Sequence, residues 1–170
     1  NAMTIITGIG RSGTSLLALW LRECGVPIVG TWIPSCEAGM EDPRVGEINE
    51  GLDEAMTDAE AITKIQALAF PVAKDPRLTR RASRKIALWK RGQPGIRIVL
   101  THRDPEQAVL SRTTNGLPFW QSPLQAQLAF AETVTALLFN GVDSALLLYP
   151  CFMGRFDLVY NAFNADPEIH

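Results

Sequence analysis

Thr4-Ile5-Ile6-Thr7-Gly8-Ile9-Gly10-Arg11-Ser12-Gly13-Thr14-Ser15-Leu16-Leu17 opens the chain, and the reading of this stretch decides the fold. Four β-formers, Thr4 to Thr7, break at Gly8. The apolar period then changes from a strand's to a helix's, through Leu16, Leu17, Trp20 and Leu21, and stops at Gly25. The pattern predicts strand, glycine-rich turn, helix. Downstream the alternation continues. A strand is expected over 69–74, ended by Asp75-Pro76, then a helix over 79–91 anchored by Ile86 and Trp89. Over 96–101 the run Ile98-Val99-Leu100 suits a strand buried on both faces. Asp104-Pro105-Glu106-Gln107 and Ser122-Pro123-Leu124-Gln125 are two helix starts, each with an N-cap, proline at the first position and glutamine at the third. The second of these helices should reach Asn140-Gly141, and a last strand, 145–149, precedes a helical tail ending near Asn164. Residues 27–46, with Pro27, Gly30, Pro34, Gly39 and Pro43, predict an irregular surface excursion. Residues 47–68 predict one helix with Ile48, Leu52 and Met56 inward and Glu50, Asp53, Glu54 and Asp58 toward water.

Strands alternating with helices imply a three-layer α/β/α architecture around a central, mostly parallel sheet of four or five strands, with ligands taken at the strands' carboxyl ends. With 170 residues, 46% of them hydrophobic, the chain reads as a single domain, 1–170, that buries an ordinary core. Asn1 and Ala2, before Met3, read as a tag remnant. Sixteen basic against eighteen acidic residues argue against wrapping nucleic acid or adhering to anionic lipid, so any anion recognition must be local. Three scattered cysteines without CxxC spacing disfavour a disulfide framework and a zinc site, and predict a reducing cytoplasm. Neither a signal-peptide layout nor an apolar run long enough to span a bilayer is present, so no membrane association is expected.

Gly8 to Ser15 has the G-x-x-x-x-G spacing of a phosphate-binding P-loop, with Thr14 where the usual lysine stands. Glycines let the backbone fold around an anion, and the following helix presents its positive dipole end to it. Arg11 restores the missing positive charge, and Ser12, Thr14 and Ser15 supply hydroxyl donors. Past the strand at 96–101 lie Arg103 and, eight residues later on the same helical segment, Ser111, a second pair able to converge on one phosphate. Eight of the sixteen basic residues fall between Lys74 and Arg91; a solvated arginine-rich helix face is the simpler reading of them.

Arg11-Ser12-Gly13-Thr14-Ser15 together with Thr101-His102-Arg103-Asp104-Pro105 through Ser111-Arg112 resembles the nucleotide-binding signature of the sulfotransferases that use 3′-phosphoadenosine 5′-phosphosulfate (PAPS). Gly39-Met40-Glu41-Asp42 with Asn49, and Lys74-Asp75-Pro76-Arg77, are similar to segments between those motifs in bacterial members, so the likeness covers most of 4–112. The resemblance implies that Gly10, Arg11, Ser12, Gly13, Thr14 and Ser15 hold the 5′-phosphosulfate, and that Arg103 with Ser111 holds the 3′-phosphate. It also implies transfer to a hydroxyl or amine acceptor, a small molecule or saccharide, without a metal. Two features depart from the family: Leu16 stands where an aromatic often stacks on adenine, leaving Tyr149 or Trp20 as substitutes, and no basic-glycine closing segment is visible.

Sulfuryl transfer needs positioning, charge stabilisation and a base for the acceptor's proton. Arg11 and Lys74 are the expected clamp, Glu41 the expected base, and Asp75 the second candidate. His102, at a strand end, reads as structural. Two other readings share the fold: a P-loop nucleotide or small-molecule kinase, for which the lysine after Gly13 is missing, and a non-catalytic nucleotide-binding protein. A partner subunit completing the acceptor side, in a homo-oligomer, is a further expectation.

Overall fold

The computed structural model describes residues 3–114 and 122–163. Its main sheet has four parallel strands in the order β4-β1-β5-β6, from β1 (Thr4–Gly8), β4 (Val72–Lys74), β5 (Arg97–His102) and β6 (Asp143–Leu148). Pairing aligns Ile5 with Ala73 on one side and Ile98 on the other, and Val99 with Ala145. Alternate side chains therefore enter two cores. Ile5, Ala73, Ile98 and Leu100 join one with α2 (Pro43–Glu54), α3 (Asp58–Gln66), α4 (Ala82–Gly92) and α6 (Pro123–Phe139). Ile6, Val99 and Leu147 join the other with α1 (Thr14–Glu23) and α7 (Phe156–Phe163). Helices on both faces of a parallel sheet give the three-layer α/β architecture.

The expected helix over 47–68 is two helices. Thr57 and Glu60 form a reciprocal capping box, with Thr57 Oγ1 accepting from the Glu60 amide and Glu60 accepting from the Thr57 amide, so a new helix starts at Asp58. The first of the two, α2, begins at Pro43, four residues before the expected start, because the Asp42 carboxylate caps it by accepting from the Arg44 amide at 3.0 Å. The excursion before it contains a two-stranded hairpin, β2 (Trp32–Ile33) with β3 (Ala38–Gly39), and a 3-10 turn at Pro34–Cys36. Asp53, expected in water, is half-buried and accepts from Lys85 Nζ at 2.8 Å. Lys85 is buried, and Arg84 reaches Asp58 and the Leu52 carbonyl, so the basic residues of α4 clip it to α2 and α3.

Asp104 and Ser122 act as the expected N-caps, accepting from the amides of Gln107 and Gln125, and Asp104 starts α5 (Pro105–Thr114). Ile86 and Trp89 are fully buried, as expected. The last strand starts two residues early, at Asp143, and the β4 strand is shorter than its apolar run. Among the described residues no helix is long and apolar enough to cross a membrane.

Candidate functional site

A cavity of about 370 Å³ opens at the carboxyl ends of the four strands. Gly10, Arg11, Gly13, Thr14 and Ser15 line it from the β1–α1 junction, Lys74 from β4, Arg103 from the position after β5, Ser111 and Arg112 from α5, and Tyr149 from the position after β6. The hairpin side contributes Glu37 and Glu41. Residues about a hundred positions apart therefore meet in one place.

The turn is shaped by its glycines. Gly13 has φ +89°, and a Cβ on it would lie 2.4 Å from the Tyr149 ring. A Cβ on Gly10 would strike the Arg112 guanidinium at 1.9 Å. Because Gly13 is the N-cap of α1 and offers no side chain, the first amides of that helix have no acceptor from the cap, and they carry the positive end of the helix dipole toward the cavity. Arg11 itself sits in the left-handed region at φ +71°, a conformation that costs a non-glycine residue about 1–2 kcal/mol. It is held there from three directions. Its Nε donates to Ser111 Oγ at 3.1 Å, its Nη1 donates to the Glu37 carbonyl at 3.3 Å, and its own carbonyl accepts from Arg103 Nη1 at 3.4 Å.

Arg103 lies over the face of Tyr149, with Cζ 5.0 Å from the ring centroid, and has no carboxylate partner among the described residues. Arg112 is buried, and its guanidinium is pushed down to about 10 by that burial and by the neighbouring Arg80 and Arg11. Three guanidiniums thus face a cavity whose acidic side chains are Glu37 and Glu41. The second of these is already paired. Lys74 Nζ donates to Glu41 Oε1 at 2.5 Å, to Ser15 Oγ at 2.9 Å and to the Gly39 carbonyl at 2.7 Å. Burial holds the Lys74 ammonium below its usual range, and the Glu41 carboxylate opposes that shift. All three of its N–H donors are used inside the protein.

The chain matches no known family model and no curated protein. The chemistry of the cavity must be read from its own geometry.

Of the expected site residues, Gly10, Arg11, Gly13, Thr14, Ser15, Glu41, Lys74, Arg103 and Ser111 come together around the cavity. Ser12 and Asp75 do not. Ser12 is buried behind the turn, where its hydroxyl pairs with Thr101 Oγ1 at 2.8 Å and ties the turn to β5. Asp75 is fully buried, accepting from Asn49 Nδ2 at 2.9 Å and from the Arg77 amide at 3.0 Å. Burial pushes its carboxyl up, against the pull of Arg77 and Asn49. It belongs to a buried chain of donors that runs on through Asn49 Oδ1 to the Trp89 indole N–H, so a turn role suits it better than proton transfer. Lys74 is present, but its donors are spent, and it orients Ser15 and Glu41.

Two residues were missing from the expected site or undecided. Arg112 follows Ser111 directly, yet nothing in sequence signals its contact with Gly10, a hundred residues away. Tyr149 lines the cavity, whereas Trp20 packs edge-on to Phe156 in a separate apolar groove. His102 stacks on Phe130 with ring centroids 4.0 Å apart, and burial lowers its pKa against the pull of Asp104. No group of three acidic, histidine or cysteine side chains suited to a metal occurs among the described residues.

Proposed function

We propose that the cavity binds an adenine nucleotide carrying two phosphate-type groups, and that the protein is a PAPS-dependent sulfotransferase. The observation that carries this reading is the bond from Arg11 Nε to Ser111 Oγ. It joins the turn that would take one anionic group to the α5 residue that would take the other. Three guanidiniums around one cavity, a helix N-terminus whose cap residue offers no side chain and two glycines with no room for a Cβ make a cradle for an anion, and the residues present fit the group.

The turn amides, Arg11 and Thr14 would hold the 5′ end. Arg103, Ser111 and Arg112 would hold the 3′-phosphate, and Tyr149 is the aromatic within reach of a base. When bound, PAPS supplies the sulfuryl group, its bond to the 5′-phosphate breaking as the acceptor oxygen or nitrogen bonds to sulfur. Glu41 is the carboxylate left to take the acceptor's proton: one of its oxygens is held by Lys74, and the side chain is 30% exposed. Lys74 positions it and, through Ser15, couples it to the start of α1. Arg11 and the turn amides stabilise charge on the transferred group. The acceptor, a small molecule or saccharide, would enter past Glu37 and Glu41. The same Lys74 contact disfavours the kinase reading, because the Ser15 hydroxyl that would bind magnesium there already accepts from an ammonium.

Titration calorimetry decides between these readings. Adenosine 3′,5′-bisphosphate should bind in the presence of a chelator, and ATP with magnesium should bind more weakly. Tighter, magnesium-dependent ATP binding would replace the sulfotransferase reading with the kinase one.

A further inference from the structure

The helix α6 is apolar on both sides. Ala126, Ala129, Thr133, Ala136 and Leu137 face the core, and over its seventeen residues it has a single charge, Glu132. That residue is half-buried and accepts from the Ser83 amide at 3.0 Å. On the opposite side Leu124, Leu128, Ala131, Thr135, Leu138 and Phe139 recur at helical spacing within one stripe, all exposed. Leu124, Leu128, Leu138 and Phe139 leave 62%, 61%, 76% and 90% of their surfaces in solvent. Exposed apolar stripes of this kind mark interaction sites on proteins.

We infer that this stripe is the dimer interface of the protein, with α6 of one protomer packed antiparallel on α6 of a second copy. Three observations select that occupant. The stripe is self-complementary: with a twofold axis between Ala131 and Thr135, Leu128 of each protomer meets Leu138 of the other. The two small residues lie at the crossing, where helices approach to about 8–10 Å. The face has no charge to repel its own copy, and no lysine or arginine such as a helix lying on an anionic membrane presents. Its apolar surface is concentrated in Leu124, Leu128, Leu138 and Phe139, each more than 60% exposed, so a second copy laid along the stripe would remove from water the largest apolar side chains of the helix. The interface lies on the outer helical layer, so dimerisation leaves the cavity at the strand ends open.

Sedimentation velocity and light scattering on the full chain test this. Wild-type protein should sediment at twice the protomer mass at micromolar concentration. Leu128→Glu and Leu138→Lys should each weaken the dimer at least tenfold, with far-UV circular dichroism unchanged because both side chains are exposed on the protomer, and with a melting temperature that no longer rises with protein concentration as the wild type's does. The double variant L128E/L138K, which sets glutamate against lysine at both symmetric contacts, should dimerise again. A monomeric wild-type protein overturns the inference, whether or not it binds phosphatidylglycerol vesicles. So does a dimer that both single variants leave intact, and so does a double variant that stays monomeric.

Discussion

Replacing Arg103 by alanine separates a binding role for this side chain from a structural one. Within the protein the guanidinium makes one long hydrogen bond, to the Arg11 carbonyl at 3.4 Å, and a cation–π contact with Tyr149. At a half-exposed site such a contact contributes about 0.5–1 kcal/mol. Against this loss, the substitution removes a positive charge from a cavity that already holds Arg11 and Arg112. Stability should therefore change by less than about 1 kcal/mol, a few degrees in melting temperature for a domain of this size. A charge-assisted hydrogen bond to a phosphate contributes about 1.5–3 kcal/mol, so the dissociation constant for adenosine 3′,5′-bisphosphate should rise about 10- to 150-fold. Affinity for adenosine 5′-monophosphate, which lacks the 3′ group, should hardly move. The decisive quantity in calorimetry is the ratio of the two affinities, large in wild type and collapsed in the variant. Arg103→Lys should fall between, since lysine keeps the charge but loses the planar fork and its stacking on Tyr149. An R103A protein that binds the bisphosphate within threefold of wild type refutes the reasoning.

Gly13→Ala should fold less stably by about 1–2 kcal/mol from its left-handed backbone alone, and more from the clash with Tyr149; thermal melts measure the loss, and bisphosphate binding should vanish with it. Glu41→Gln should leave nucleotide affinity within a few-fold while lowering the turnover of sulfuryl transfer by about 10²- to 10⁴-fold, read as a fall in kcat at constant nucleotide KM. Asp75 gives a pH signature. Its folded-state pKa lies above the unfolded value because of burial, so its contribution to stability is fully present below the unfolded pKa and is lost as pH rises through the folded one. The stability difference between wild type and Asp75→Asn, from denaturant melts, should therefore shift against wild type as pH rises from acid toward neutral; a constant difference would place the Asp75 pKa at its ordinary value.

The elements that could be read in the sequence are those with local causes. The break at Gly8, the apolar run of β5 and the caps at Asp104 and Ser122 each act within a few residues; the caps stand where expected and the two strands within a residue of their expected bounds. The split between α2 and α3 was also written locally, as Thr57 followed three residues later by Glu60. It was masked by the four-residue spacing of Ile48, Leu52 and Met56, which continues the apolar face up to the break. What sequence cannot carry is how buried donors are shared. Ser12 looks like any other hydroxyl of the turn until Thr101 is found beside it, and Lys74 looks like a free cation until Glu41, Ser15 and the Gly39 carbonyl are seen to surround it. Arg112 became visible only when α5 folded back over Gly10.

No single strand owns the cavity, whose walls come from chain segments as distant as Arg11 and Tyr149. A molecule held there would act as a rivet through the sheet. In the empty protein β4 and β6, each paired on one side only, are the strands from which local opening would start. Once loaded, either rim must release the ligand in order to open, and fraying then costs an extra RT ln(1 + [L]/Kd). Amide hydrogens in edge strands that touch nothing bound would exchange more slowly, so occupancy at one end of the molecule would be recorded along its whole length.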